Sequence, residues 1–370
     1  MEKKSEEKKQ LRTGWTTGAC SAAAAKAATH VLIHQNPLEV IEITIPMGKK
    51  VTFALKRCEF TREEATCSVI KDAGDDPDCT NGAELTASVT RTQNPGEIIL
   101  DRGLGVAVIT KVGLGLPVGG PAINGIPRKN ITEMMKEAAG EALEKHGLKA
   151  VLSVPGGEEM AKKTENERLG ILEGISILGT TGIVVPFSTA AFRSSIAQAI
   201  AVARAAGLEH IVLTTGSKSE EFAMKLVPLP SESFIQMGDF VGFSTKQAAA
   251  KGIKKLTLCG MPGKMSKIAT GKMQTHVAGS QVDMDFLSSV ASEIRAPEDV
   301  IKEISMANTA RHVQEILTKR SILNFWDAIA RKVCEACHKN VRGEMEVECI
   351  LTDFDGKVLG KFVVPKKVEI

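Results

Sequence analysis

The chain has 370 residues and a mass of 39.5 kDa, with 47 Lys and Arg against 44 Asp and Glu, a net charge of +3. Hydrophobic residues at 43% and charged residues at 25% exclude an intrinsically disordered chain, and the mild charge gives no sign of a nucleic-acid or membrane-surface binder. Tyr is absent and there are only 2 Trp against 33 Gly, so an aromatic-lined recognition surface is not expected, and loops whose backbone approaches a ligand are.

The length suits two domains. Residues 1–10 are almost all charged or polar and no apolar run follows, which predicts a disordered charged tail and no signal peptide. No run of about 18 apolar residues occurs, so no membrane-spanning helix is expected. The eight Cys are accordingly expected as reduced thiols in a cytoplasmic protein.

In chain order, the Ala-rich residues 20–33 predict a helix, entered through the capping hydroxyls of Thr16 and Thr17. Residues 40–45 and 50–55 alternate apolar and polar side chains about a Pro-Met-Gly turn, a hairpin pattern. Residues 64–70 and 83–90 also read as strands, with an acidic loop between them. A strand at 106–111 leads into the Gly/Pro-rich stretch 113–121, a helix follows at 130–146, and a strand at 150–154. Strands and helices without strict alternation predict an α+β domain over 11–190.

The pattern changes after Gly182. A helix at 188–206, strands at 210–213, 234–237 and 255–259, and helices at 219–226, 243–250 and 265–270 make a βαβαβα succession, the signature of a parallel sheet with crossover helices. Three helical stretches between 286 and 339 and a terminal hairpin across Asp355-Gly356 complete an α/β domain over 191–370.

In open α/β sheets ligands sit beyond the carboxyl ends of the strands. Two loops have that place: Thr214-Thr215-Gly216 and Gly260-Met261-Pro262-Gly263-Lys264. Neither matches a Walker or dinucleotide glycine pattern, so no standard nucleotide site is expected. The acidic loop Lys71 to Asp78 holds four Asp in eight residues; Asp72, Asp75 and Asp76 suit proton transfer or a hard cation, while Gly74 and Pro77 alone would make it a solvated turn. Thr-Thr-Gly occurs at Thr16, Thr180 and Thr214, where hydroxyls and backbone N–H groups suit a carboxylate or phosphate. Arg128, Lys129, Lys162, Lys163, Arg168, Lys264, Lys267 and Lys272 fall in or beside the glycine-rich loops, as a ligand with many carboxylates would require. Cys334 and Cys337 formally match a haem attachment motif with His338, but they share one helix face and read as buried structural thiols. No protein-bound metal is expected.

Six blocks resemble the CbiD family: Thr13-Gly14-Trp15-Thr16-Thr17-Gly18 with its Ala-rich helix, the acidic loop 71–78, the glycine-rich stretch 113–119, Pro121-Ala122-Ile123-Asn124, Val154-Pro155-Gly156-Gly157-Glu158-Glu159, and the segment 174–182. The resemblance runs from about residue 12 to about residue 280. It departs from the family pattern at Met261-Pro262 and at Gln274-Thr275-His276-Val277. It implies a cobalt-precorrin-5B C1-methyltransferase of anaerobic cobalamin biosynthesis that uses S-adenosylmethionine and carries cobalt only within its substrate. It also implies an α+β domain like a permuted ribosomal S5 domain 2, followed by a small α/β domain.

On that reading Asp72, Asp75 and Asp76 are the expected proton-transfer residues. Thr16, Thr17, Lys71, Arg128, Arg168, Thr180 and Thr181 are the expected substrate contacts. Thr214, Thr215, Gly216, Gly260, Gly263 and Lys264 are the expected contacts to S-adenosylmethionine. The expected partners are the cobalt-precorrin and, transiently, neighbouring pathway enzymes, with no nucleic acid, no membrane and an open oligomeric state. A tetrapyrrole carrier without chemistry, or a metal-dependent enzyme using the Asp loop, are the competing readings.

Overall fold

A computed structural model describes residues 11–276 and 281–367. The expected tail at 1–10 and Val277 lie outside them. The chain divides into two units, one ending at Thr189 and one beginning at Ala190.

In the first unit the Ala-rich segment forms helix α1, Thr17–His34. Ala22, Ala23, Ala24, Ala25, Ala27 and Ala28 are all fully buried. A helix apolar on every side belongs inside a core, and small side chains let this one lie close to both of its neighbours. On one side is helix α2, Gly125–Ala139; on the other is a five-stranded sheet. The hairpin of β1 (Val40–Thr44) and β2 (Lys50–Ala54) adds Ile41, Ile43, Val51 and Phe53 to the same core. The sheet comprises β3 (Arg57–Phe60), β4 (Glu64–Ile70), β5 (Glu84–Thr92), β6 (Ile98–Arg102) and β7 (Gly147–Ser153), in the order β3-β4-β5-β7-β6. All its pairs are antiparallel except β6 with β7.

Three expectations need correction here. The expected strand at 106–111 is a regular strand only at Val108–Ile109, with Val106 joined to Ile175 by an isolated bridge. Helix α2 begins at Gly125 rather than 130, with Pro127 in its first turn where a missing N–H costs nothing. It ends at Ala139, before Gly140 at φ +52°.

The second unit is built on β8 (His210–Thr214), β9 (Phe234–Gln236), β10 (Lys255–Gly260), β11 (Glu346–Thr352) and β12 (Val358–Val364), in the order β9-β8-β10-β11-β12. The first four are mutually parallel, and β12 closes the sheet antiparallel to β11. Helices α3 (Thr189–Ala205), α4 (Ser217–Leu226), α5 (Val241–Ala250) and α6 (Pro262–Ala269) connect or flank the strands. Four helices follow rather than three: α7 (Met284–Glu293), α8 (Glu298–Ser305), α9 (Ala310–Lys319) and α10 (Phe325–Asn340). Thr309 makes the extra division by capping α9 through its hydroxyl. The fold as a whole is mixed α/β.

All eight Cys are free thiols. Cys334 and Cys337 are buried in α10, and burial pushes the Cys337 thiol up, as expected of an inert structural thiol.

Candidate functional site

In the first unit three sequence blocks converge on the start of α1. The entering strand Gly14–Trp15 pairs antiparallel with Ile183–Val184. It also crosses the acidic loop. Trp15 N donates to Asp72 O at 2.7 Å and Asp75 N donates to Arg12 O at 2.9 Å. The crossing is so close that a Cβ on Gly14 would lie 2.1 Å from the Ala73 carbonyl carbon. A Cβ on Gly74, which has φ +70°, would lie 2.2 Å from Arg12 O. Only glycine fits at either place.

The acidic residues have distinct partners. The Arg12 guanidinium pairs with the Asp72 carboxylate, and Gly74 N donates to it at 2.9 Å. These bonds, the arginine's first, hold the Asp72 carboxyl below the usual carboxylate range. Asp75 Oδ2 accepts from Arg12 N at 2.7 Å. Asp76 Oδ1 accepts from Phe187 N at 2.9 Å. The structure therefore gathers all three carboxylates on one loop, with Asp72 and Asp75 gripping Arg12, a residue that sequence reasoning passed over.

Lys71 lies elsewhere. Its side chain is 1% exposed, and its ammonium pairs with Asp78 Oδ2 at 2.6 Å. The other Asp78 oxygen accepts from Thr80 N at 2.7 Å and from Thr80 Oγ1 at 2.6 Å. The expected substrate contact at Lys71 is thus a buried brace, turned inward with no face to a ligand.

The Thr-Thr-Gly hydroxyls also divide. Thr16 Oγ1 accepts from Ala19 N at 3.2 Å as the N-cap of α1. Thr17 Oγ1 donates to Ser176 O at 3.1 Å and accepts from Leu178 N at 2.9 Å. Gly18 N donates to Leu178 O at 2.9 Å, so the first turn of α1 is closed by the chain itself. Both buried hydroxyls serve the architecture. Thr180 and Thr181 are exposed, and the Thr181 hydroxyl bonds the backbone of Ile183.

The start of α2, beside that of α1, is open by contrast. Pro127 lies against Gly18, where a Cβ would come within 2.9 Å of its ring, and Asn124 N donates to Ile177 O at 3.0 Å. Asn124 provides no side-chain cap, and the amides of Gly125 and Ile126 find no acceptor among the described residues. Arg128, in the same turn, is half-buried and its guanidinium has no partner among the described residues. Ile126 and Leu178 are both exposed beside it. Free N–H groups at a helix start, an unpaired guanidinium and apolar side chains together suit a carboxylate on an apolar body. Arg168 does not share this place in the chain's bonding: it pairs with Glu165 at 3.5 Å.

In the second unit, β8 connects through α4 to β9 on one side, whereas β10 leads on to β11 on the other. The order reverses between β8 and β10, and both expected cofactor loops lie at that point, at the strands' carboxyl ends. Lys264 spans them, donating to Thr215 O at 3.0 Å and pairing with Asp239 Oδ1 at 3.0 Å. Gly260 is tightly enclosed, since a Cβ would lie 2.8 Å from both Thr215 Cγ2 and Met265 Sδ, while the space beside Gly263 is empty out to 4 Å. Gly216 begins the turn into α4, where Glu220 N donates to its carbonyl at 3.0 Å. Thr214 Oγ1 is buried without a hydrogen-bond partner. Asp239, which follows the short strand β9, is the residue here that sequence reasoning missed. Among the described residues no group of three or more His, Cys, Asp and Glu is placed to hold a metal ion.

Two family models match, CbiD over residues 4–186 and the CbiD C-terminal domain over residues 274–362. A cobalt-precorrin-5B C(1)-methyltransferase of Leptospira interrogans is 54% identical over 95% of this chain and 96% of its own. This chain belongs to the CbiD family. The enzyme of the same name from Priestia megaterium is 47% identical over 98% of this CbiD chain and 99% of its own. A crystal structure of the cobalamin biosynthesis protein cbiD from Archaeoglobus fulgidus is 25% identical, covering 84% of this chain and 85% of that one, with a TM-score of 0.38. The acidic loop, the Thr-Thr-Gly entry and the start of α2 all lie within the first CbiD match.

Proposed function

We propose that this chain methylates carbon 1 of cobalt-precorrin-5B to give cobalt-precorrin-6A in anaerobic cobalamin biosynthesis. The observation that carries this is the identity, over nearly the whole length, to relatives of that name. The proposed donor is S-adenosylmethionine, whose sulfonium supplies an already electrophilic methyl group. What remains for the protein is to hold two reactants in line, a proximity and orientation effect.

The chemistry of the two units supports a division of labour. The substrate presents a largely apolar macrocycle fringed with carboxylates. The start of α2 offers Arg128, two free amides and exposed Ile126 and Leu178 for such a body, and Thr180 adds an exposed hydroxyl on the segment beside it. The β8–β10 crevice of the second unit is the proposed donor site. The unpartnered Thr214 hydroxyl and the open space at Gly263 fit a ligand with its own donors and acceptors.

Of the three acidic-loop carboxylates, Asp76 is the one bonded to neither end of Arg12. It is the proposed acceptor for any proton the macrocycle releases. Asp72 and Asp75 hold the loop. The mostly antiparallel sheet, with α1 against it and α2 packed on α1, supports assigning the first unit to the ribosomal S5 domain 2-like class. A cytoplasmic setting is proposed with the pathway; no helix among the described residues is long and apolar enough to cross a membrane.

Incubation with S-adenosylmethionine and cobalt-precorrin-5B, read by mass spectrometry, is expected to show a gain of one methyl group. Binding without a mass gain would make the chain a carrier instead. Arg128→Ala is expected to raise the KM for the corrinoid about 10- to 100-fold, from the loss of one charge-assisted hydrogen-bonding group, with a smaller change in kcat. An unchanged KM would remove Arg128 from the substrate site.

A further inference from the structure

The carboxyl edge of the second unit's sheet carries two lysines of α6. Lys264 pairs with Asp239. One turn further along α6, Lys267 is only 6% exposed. Its ammonium donates to Thr275 O at 3.1 Å, and no carboxylate of the described residues pairs with it. Thr275 is itself tied to Asp239, through Oγ1 to Oδ1 at 3.0 Å and through N to O at 3.1 Å. Two ammoniums therefore share one network with one carboxylate.

That carboxylate is already engaged. Burial opposes its ionisation, yet the Lys264 ammonium and the Thr275 hydroxyl hold the Asp239 carboxyl below the usual range. Among the described residues Lys267 finds one carbonyl for its three N–H donors. A buried charge without a counter-ion is costly, and a side chain on a helix leans toward the helix's amino end. At that end the amides of Gly263 and Lys264 find no acceptor among the described residues, Met261 gives no side-chain cap, and the space beside Gly263 is open.

We propose that Lys267, with Lys264 and the first-turn amides of α6, receives one carboxylate of a small-molecule ligand. The source is either the α-carboxylate of S-adenosylmethionine or an acetate or propionate arm of the tetrapyrrole, so the choice between them rests on the functional reading above. The pocket itself rests on the buried Lys267 ammonium, with which no carboxylate of the described residues pairs.

The test is calorimetric titration of the full chain and its Lys267→Met and Lys267→Arg variants with three ligands. These are S-adenosylhomocysteine, 5′-methylthioadenosine, which lacks the amino-acid part, and cobalt-precorrin-5B. Lys267→Met is expected to weaken S-adenosylhomocysteine at least 10-fold and leave methylthioadenosine unchanged, with partial recovery in Lys267→Arg. A loss confined to the corrinoid would keep the pocket and assign the carboxylate to the substrate. If S-adenosylhomocysteine fails to bind the wild type, the donor reading falls and the corrinoid arm decides the pocket alone. Unchanged affinities, equal loss of both adenosyl ligands, or no binding of either carboxylate ligand to the wild type would overturn the proposal. Thermal unfolding separates a structural role: ligand-free Lys267→Met is expected to unfold at or above the wild-type temperature, because it removes an uncompensated charge, and a lower temperature would count against the pocket.

Discussion

Asp78→Asn is expected to destabilise the first unit by about 3–5 kcal/mol, the cost of breaking a buried ion pair from one side. Lys71 is 1% exposed and Asp78 24%, so the abandoned ammonium has no route to water. The loss should shift the unfolding midpoint by on the order of 10 °C. Urea titration of a Trp326→Phe background, followed by the fluorescence of Trp15, reads the first unit alone, since the chain holds only these two tryptophans. The double replacement Lys71→Met with Asp78→Asn should recover most of the loss, because it leaves no buried charge while the amide oxygen still accepts from Thr80. Burial raises the Asp78 carboxyl, but Lys71 and Thr80 outweigh it and the net position is below the usual range. Its stabilising contribution is thus complete above the ordinary carboxylate range and is lost as pH falls through the lowered folded value. A wild-type stability that stays level across that acidic window, or an Asp78→Asn variant as stable as the parent, would contradict the brace.

Asp76→Asn is expected to lower kcat by roughly 10²- to 10⁴-fold, the usual range for removing a positioned acid–base group, with little change in either KM. The replacement keeps an oxygen to accept the Phe187 N–H, so the loop's one hydrogen bond at this position survives. Steady-state methyl transfer measures the effect, and unchanged circular dichroism shows that the loop still folds. Turnover equal to wild type would remove Asp76 from the chemistry. Asp72→Asn serves as the contrast: it weakens the Arg12 pair and is expected to act on stability more than on kcat.

Much of this was legible before the structure because it is local. An Ala-rich run is helical by propensity and buried because it has no polar face. The Asp355-Gly356 turn sits between two alternating runs that become β11 and β12. The Thr-Thr-Gly and acidic blocks stand out by composition. What the sequence hid depends on contacts between distant residues. Lys71 stands next to three loop aspartates, yet its partner is Asp78 across a turn. Arg12 lies in a polar lead segment, and only the crossing at Gly14 and Gly74 shows that two aspartates hold it. Strands β3 and β6 escaped notice because Arg57–Phe60 is short and half charged and Ile98–Arg102 follows a turn-rich stretch. Lys267 read as one of several basic residues, and its burial in the same network as the Lys264–Asp239 pair follows from how α6 packs.

The most direct measurement uses S-adenosylmethionine labelled with ¹³C at the methyl group. After turnover on cobalt-precorrin-5B, the carbon spectrum of the product is predicted to show one new labelled methyl, bonded to ring carbon 1. A label on another ring carbon, or a product free of label, would contradict the assignment of this chain as the C1-methyltransferase.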